Sequence, residues 1–148
     1  MPGKGWFTGF FDGEGCVRIQ TDASRCAKVQ TSLVVSVTSV DPRPIEKFAK
    51  KFPGYKGKIT RVKKWKNSNQ RIQYEWAIRG LGALNFCKYV YPCSIVKREQ
   101  LELAIKFYEL PWRTQRSEPG GTWKIRTNEN VLVDLQYAEN IRRLKHAL

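Results

Sequence analysis

The chain has 148 residues, 41% of them hydrophobic and 27% charged, the proportions of one folded domain rather than of a disordered segment. Its 27 Lys and Arg against 13 Asp and Glu leave a formal net charge of +14 at pH 7, which points to a polyanionic partner. No apolar run reaches the roughly 18 residues of a membrane-spanning helix, and the Met1–Gly15 stretch carries Asp12 and Glu14 among its aromatics, unlike a secretory leader.

In chain order, Gly5–Gly15 reads as a short helix in which Trp6, Phe7, Phe10 and Phe11 alternate with Gly5, Gly9 and Gly13. Glycine inside a helix costs about 1 kcal/mol against alanine, so propensity alone favours a loop here. Glycines four apart line one helix face, however, and a close approach of another backbone would account for them. Cys16–Thr21 then alternates as a strand, with Val17 and Ile19 on one face, and a polar connection follows from Asp22 to Lys28. Gln30–Val40 alternates again, with Leu33, Val35 and Val37 facing one way. Asp41-Pro42 signals a helix start, and Ile45, Phe48, Ala49 and Phe52 recur at helical spacing up to Pro53-Gly54.

Gly57–Trp65 reads as a third strand, with Ile59 and Val62 on opposite faces as a bulge would place them. Lys66–Asn69 reads as a turn, and Gln70–Arg79 as a fourth strand with Ile72, Tyr74, Trp76 and Ile78 on one face. Helices are expected over Leu81–Val90 and Lys97–Leu110, the latter ended by Pro111, and a loop at Glu118–Gly121. A last helix, Glu129–Ala147, carries Leu132, Leu135, Ala138, Ile141 and Leu144 as its apolar stripe. The result is an α+β order of helix, two strands, helix, two strands and helices. Helices would cover one face of a four-stranded antiparallel sheet. Residues 1–111 form a single domain and 112–148 a C-terminal extension of it.

The uncovered sheet face is polar. Arg18, Gln20, Gln30, Ser32 and Ser36 come from the first two strands, and Arg71, Gln73 and Glu75 from the fourth. Such groups hydrogen-bond to base edges, as Arg does to guanine and Gln to adenine. Lys28 and Lys66 lie in the connections, where phosphates would be met, and Lys58, Arg61 and Lys63 of the third strand are further candidate DNA contacts. The four cysteines include no C-x-x-C pair and the single histidine is His146, so a Cys/His zinc site is not expected; idle thiols in a reducing compartment are the simpler account.

Phe7–Gly15, F-T-G-F-F-D-G-E-G, resembles the motif of the LAGLIDADG homing endonucleases without a gap. Gly9, Asp12 and Gly15 match as they stand, and Glu14 occupies the position of the family's last acid, usually Asp. The order of elements over roughly residues 5 to 110 is also the family's. The resemblance implies an αββαββα fold with a saddle-shaped sheet and a homodimer whose motif helices meet at Gly5, Thr8, Gly9, Asp12 and Gly13. It implies a divalent metal held by Glu14 and Gly13: Mg²⁺, with Mn²⁺ substituting and Ca²⁺ allowing binding without cleavage. Phosphodiester hydrolysis suits that chemistry, since a metal polarises the phosphoryl oxygen and activates water. Lys97, in the pattern Lys97-Arg98-Glu99-Gln100, would sit near the scissile phosphate, and Ser39 and Arg43 at water-network positions. Asp12 is read as a structural residue of the motif rather than a metal ligand.

The leading expectation is therefore a metal-dependent, site-specific endonuclease acting on double-stranded DNA at a long near-palindrome, without membrane association, in the cytoplasm, nucleoid or an organelle matrix. A non-cleaving maturase bound to its own intron RNA, or a DNA-binding regulator, is the alternative. A ribosome-associated RNA-binding protein explains the charge but not the motif.

Overall fold

The computed structural model describes residues 1–23, 29–59, 72–114 and 127–146. Lys4–Glu14 forms α1, which passes directly into strand β1 (Gly15–Ala23). The junction requires glycine: a Cβ on Gly15 would overlap the Phe11 ring and lie 2.6 Å from the Phe11 carbonyl oxygen. Strand β2 (Val29–Ser39) runs antiparallel to β1, from Gly15 opposite Val37 to Ala23 opposite Val29. Asp41 then caps α2 (Pro42–Lys51) by accepting the Arg43 backbone N–H, with proline in the first turn, where no intrahelical donor is needed.

Strand β3 (Tyr55–Ile59) pairs with β4 (Gln73–Arg79), and β4 also pairs with β2, which gives the antiparallel order β1-β2-β4-β3. The third strand begins two residues earlier than its alternation suggested; residues 60–71, with the expected bulge, turn and start of the fourth strand, lie outside the described residues. Gly80, at φ 64°, turns β4 into α3 (Leu81–Val90), a left-handed conformation that glycine adopts without a Cβ clash. A 3-10 turn (Tyr91–Cys93) leads to α4 (Arg98–Tyr108).

Helices cover one face of the sheet. Phe7 and Phe11 of α1, Phe48 of α2, Phe86 of α3 and Phe107 of α4 are fully buried, and Trp76 of β4 is buried among them. The Trp76 ring lies 5.1 Å from both Phe48 and Phe86, and its Nε1 donates to the Phe52 carbonyl at 2.8 Å. That bond satisfies the indole's one polar atom in an otherwise apolar core.

The helix before Pro111 stops at Tyr108, and Pro111 also opens a short helix, α5 (Pro111–Thr114), as first-turn proline does elsewhere. One expectation for the C-terminal extension is corrected. The last helix, α6 (Asn128–His146), does not bury the Leu132–Leu135 side of its stripe. Leu132 is 66% exposed, whereas Asp134 is completely buried and Ile141 nearly so. The helix is turned by a buried ion pair: Arg113 Nη2 meets Asp134 Oδ2 at 2.8 Å. Thr31 Oγ1 donates to the same oxygen at 2.8 Å, and Trp112 Nε1 to Oδ1 at 3.1 Å. The Arg113 guanidinium stacks 3.6 Å from the Phe107 ring centroid. Hydrogen bonds to a charged carboxylate are stronger than neutral ones, and they outweigh the gain from burying a leucine on the other face. The extension therefore braces its own chain, packing on α4, β1 and β2.

Asp134→Ala leaves a buried guanidinium without its carboxylate and should cost about 3–5 kcal/mol in urea unfolding. Leu132→Ser, on the exposed side, should stay within about 0.5 kcal/mol. Equal losses for the two variants would mean that α6 docks by the leucine face instead.

Candidate functional site

The site lies where the end of α1, the start of β1 and the turn between α3 and α4 meet. Asp12 holds this corner together. Its Oδ1 accepts from Ser94 Oγ at 2.5 Å, and its Oδ2 accepts the backbone N–H groups of Ile95 at 2.8 Å and Val96 at 3.3 Å. Burial raises the Asp12 pKa, but the amide of Ile95, the Ser94 hydroxyl and the amide of Val96 together outweigh it and hold the carboxyl below its ordinary range. Asp12 thus braces the α3–α4 turn against the end of α1.

The same turn delivers Lys97. Its Nζ donates to the Asp12 backbone carbonyl at 2.6 Å, one of the last-turn carbonyls that α1 leaves without an intrahelical donor. Burial pushes the Lys97 pKa down, opposed by the negative charge of Asp12 and Glu14 and reinforced by the positive charge of Lys145. Glu14, the last residue of α1, is exposed, as is Gly13 before it. Gln100, one turn past Lys97, faces the core beside Leu101 and Ala104.

Ser39 and Arg43 occupy the same end of the sheet, because Gly15 pairs with Val37 and β2 runs on to Ser39. Their contacts are local. Ser39 Oγ accepts the Asp41 N–H at 3.1 Å, and Arg43 grips Asp41 through Nε at 3.0 Å and Nη2 at 2.6 Å. The pair is solvent-exposed; the Arg43 side-chain hydrogen bond lowers the Asp41 pKa, and Asp41 raises that of Arg43.

The polar sheet face forms cross-strand rows. Arg18, Val34 and Arg79 make one, and Cys16, Ser36, Ala77 and Tyr55 the next. Thr38, Glu75 and Gly57 follow, and Gln20 lies opposite Ser32. Arg18, Gln20, Ser32, Gln73 and Glu75 are half-buried and Gln30 is exposed. Ser36 departs from expectation: it is only 3% exposed, at the centre of the sheet between Cys16 of β1 and Ala77 of β4. Lys58 is opposite Tyr74 and so lies on the helix side of the edge strand, exposed. Lys28, Arg61, Lys63, Lys66 and Arg71 lie outside the described residues. The sequence reading missed Arg79 and Tyr55. The period-two alternation of β4 already contained Arg79, whereas Tyr55 fell before the strand start.

Gly5, Gly9 and Gly13 form an open strip on α1, where an added Cβ would meet no atom within 4 Å. Thr8 is not part of it. Only 2% exposed, it turns inward and donates to the Lys4 carbonyl at 2.8 Å.

Among the described residues no cluster of three or more His, Cys, Asp or Glu could hold a metal ion. The corner's donors are the Glu14 carboxylate and the Gly13 carbonyl, hard oxygens that suit Mg²⁺. That ion keeps most of its waters and takes one or two carboxylates with phosphate, so the donor set fits.

No protein-family model matches the sequence, and no curated protein does. Solved structures match by shape. The homing endonuclease I-CvuI, crystallised with a DNA target, aligns over 95% of this chain and 80% of its own, with a TM-score of 0.69 and 16% identity. The homing endonuclease I-TnaI aligns over 99% and 97%, with a TM-score of 0.63 and 19% identity. The LAGLIDADG homing endonuclease I-GzeII, in complex with its DNA target, aligns over 96% of this chain and 44% of its own, with a TM-score of 0.60 and 15% identity. The chain has the LAGLIDADG homing endonuclease fold.

Replacing Asp12 by Ala leaves the donors of the α3–α4 turn without their acceptor and should lower stability by about 1–3 kcal/mol. Because the folded carboxyl titrates below its ordinary 3.8, its stabilisation is complete above that pH and lost as pH falls through the lower folded value. Denaturant unfolding of wild type and Asp12→Asn should therefore converge in acid; a gap that persists to pH 2 would contradict the brace.

Proposed function

We propose that this chain is a metal-dependent, site-specific DNA endonuclease of the homing type that works as a homodimer. The observation that carries the reading is the corner itself. An exposed carboxylate, Glu14, ends a helix with an open glycine face, and Lys97 is pinned beside it on the Asp12 carbonyl. One carboxylate per chain is a meagre site. Two copies packed through the glycine faces, about a twofold axis, would set two Glu14 carboxylates close together. Like charges side by side are costly unless a cation lies between them, and a protein that only binds has no need of them.

A divalent cation held by Glu14 and the Gly13 carbonyl would polarise a phosphoryl oxygen and activate water. The chain's own groups do the rest. The Lys97 ammonium, fixed by one donated hydrogen bond, has protons left to bind a phosphate oxygen and to offset charge developing there. The polar rows would lie along the major groove, with Arg18, Arg79, Gln20 and Gln73 reading base edges. The net charge of +14 supplies the electrostatic part of the affinity. I-CvuI and I-GzeII were each solved on a DNA target, which supports DNA as the partner of this chain.

Incubation with a randomised duplex pool and Mg²⁺, followed by sequencing of the cut ends, should recover one long near-palindromic site. Glu14→Gln should slow its cleavage at least a hundredfold, as expected if several kcal/mol of metal assistance are lost, and leave DNA affinity within about threefold. Cleavage by Glu14→Gln at the wild-type rate would remove Glu14 from the metal. Retention of DNA without any cutting would favour the maturase or regulator reading.

A further inference from the structure

The last turn of α6 brings another cation to the corner. Arg142 and Arg143 are both taken up by Glu139, through Nη2 at 2.6 Å and Nε at 3.3 Å respectively. Lys145 turns inward instead, and its Nζ donates to Cys16 Sγ at 2.7 Å. Cys16 is two residues past Glu14, in a row of the polar sheet face. Lys97 is held on the Asp12 carbonyl two residues before Glu14, so both lysines are tied to the Asp12–Cys16 segment that has Glu14 at its middle. Among the described residues neither lysine has a carboxylate within 4.0 Å.

Half-buried ammonium groups that lack a carboxylate partner within ion-pair reach among the described residues are costly, and a fold tolerates this where an anion is to be bound. The placement is not accidental packing at a frayed end. Ile141, one turn earlier, is buried, and the Asp134–Arg113 pair fixes the helix along its axis.

We propose that Lys145 binds a DNA backbone phosphate together with Lys97, as a second phosphate-binding cation of the corner. The proposal rests on the DNA-binding part of the function proposed above, not on cleavage. A thiol is a weak acceptor, so Lys145 would exchange the Cys16 contact for a charge-assisted bond to phosphate at little cost.

Binding can test this without any cutting. A duplex is enriched from a randomised pool by repeated binding in Ca²⁺, and its affinity is then measured across a range of salt concentrations. Lys145→Met should weaken binding and reduce the slope of log affinity against log salt by a fraction of one unit, because Lys97 still holds the shared phosphate, and Lys145→Arg should restore both. If both lysines grip one phosphate, the double variant Lys97→Met/Lys145→Met should lose less affinity than the two single losses combined. An unchanged slope in Lys145→Met, with a lower unfolding midpoint, would make Lys145 a fastening of α6 only and overturn the proposal. Enriched DNA that wild type never cuts in Mg²⁺, with the slope still reduced, would overturn cleavage and keep Lys145. Failure to enrich any duplex would overturn both.

Discussion

The Asp12 carboxylate accepts hydrogen bonds from Ser94, Ile95 and Val96, and every other feature of the corner depends on that contact. It joins the end of α1 to a turn more than eighty positions away in sequence. The turn in turn carries Lys97 to the backbone carbonyl of the same Asp12. A helix with glycine on one face is intrinsically poor, and α1 survives because its other face buries Phe7 and Phe11 completely. Packing fixes the helix from below and Asp12 fixes its end, which leaves the glycine strip free and Glu14 in solvent.

Electrostatics divide the molecule in a similar way. Deep in the fold, charge is fully paired: Arg113 and Asp134 satisfy one another with Thr31 and Trp112. At the corner it is not paired, and Lys97 and Lys145 lie near Glu14 without an ion pair to any described carboxylate. The first arrangement builds structure. The second suits a site that receives a phosphate and a cation.

Much of this was legible in the sequence wherever a periodic pattern met a single environment. The alternation of Tyr74, Trp76 and Ile78 marked the buried face of β4, and Asp41-Pro42 marked the start of α2. The motif Phe7–Gly15 pointed to the helix despite its glycines, through resemblance rather than propensity. Failures came where a polar contact overruled hydrophobic pattern. Leu132 and Leu135 look like a core stripe, yet Asp134 takes their place because Arg113 is waiting for it. Ser36 looks solvent-facing by alternation, but the centre of a sheet is sheltered by its neighbours. Thr8 sits near the glycines in sequence and turns the other way, because one residue along a helix rotates a side chain by about 100°. Lys145 gave no signal, since a lysine in a helix's last turn is usually only complementing the helix dipole.

In the proposed homodimer, two copies meet at the glycine strip of α1. Sedimentation equilibrium of wild type and Gly9→Leu tests it most directly. Within one chain a side chain at Gly9 has room, with nothing within 4 Å of its Cβ, so leucine there leaves the monomer intact. Overpacking at a helix–helix contact costs about 1–3 kcal/mol, which is roughly a fivefold to more than hundredfold rise in dimer dissociation constant. Wild type should be a dimer, and the Gly9→Leu chain should be shifted towards monomer by at least about fivefold. A wild type that stays monomeric, or a Gly9→Leu dimer as tight as wild type, would contradict it.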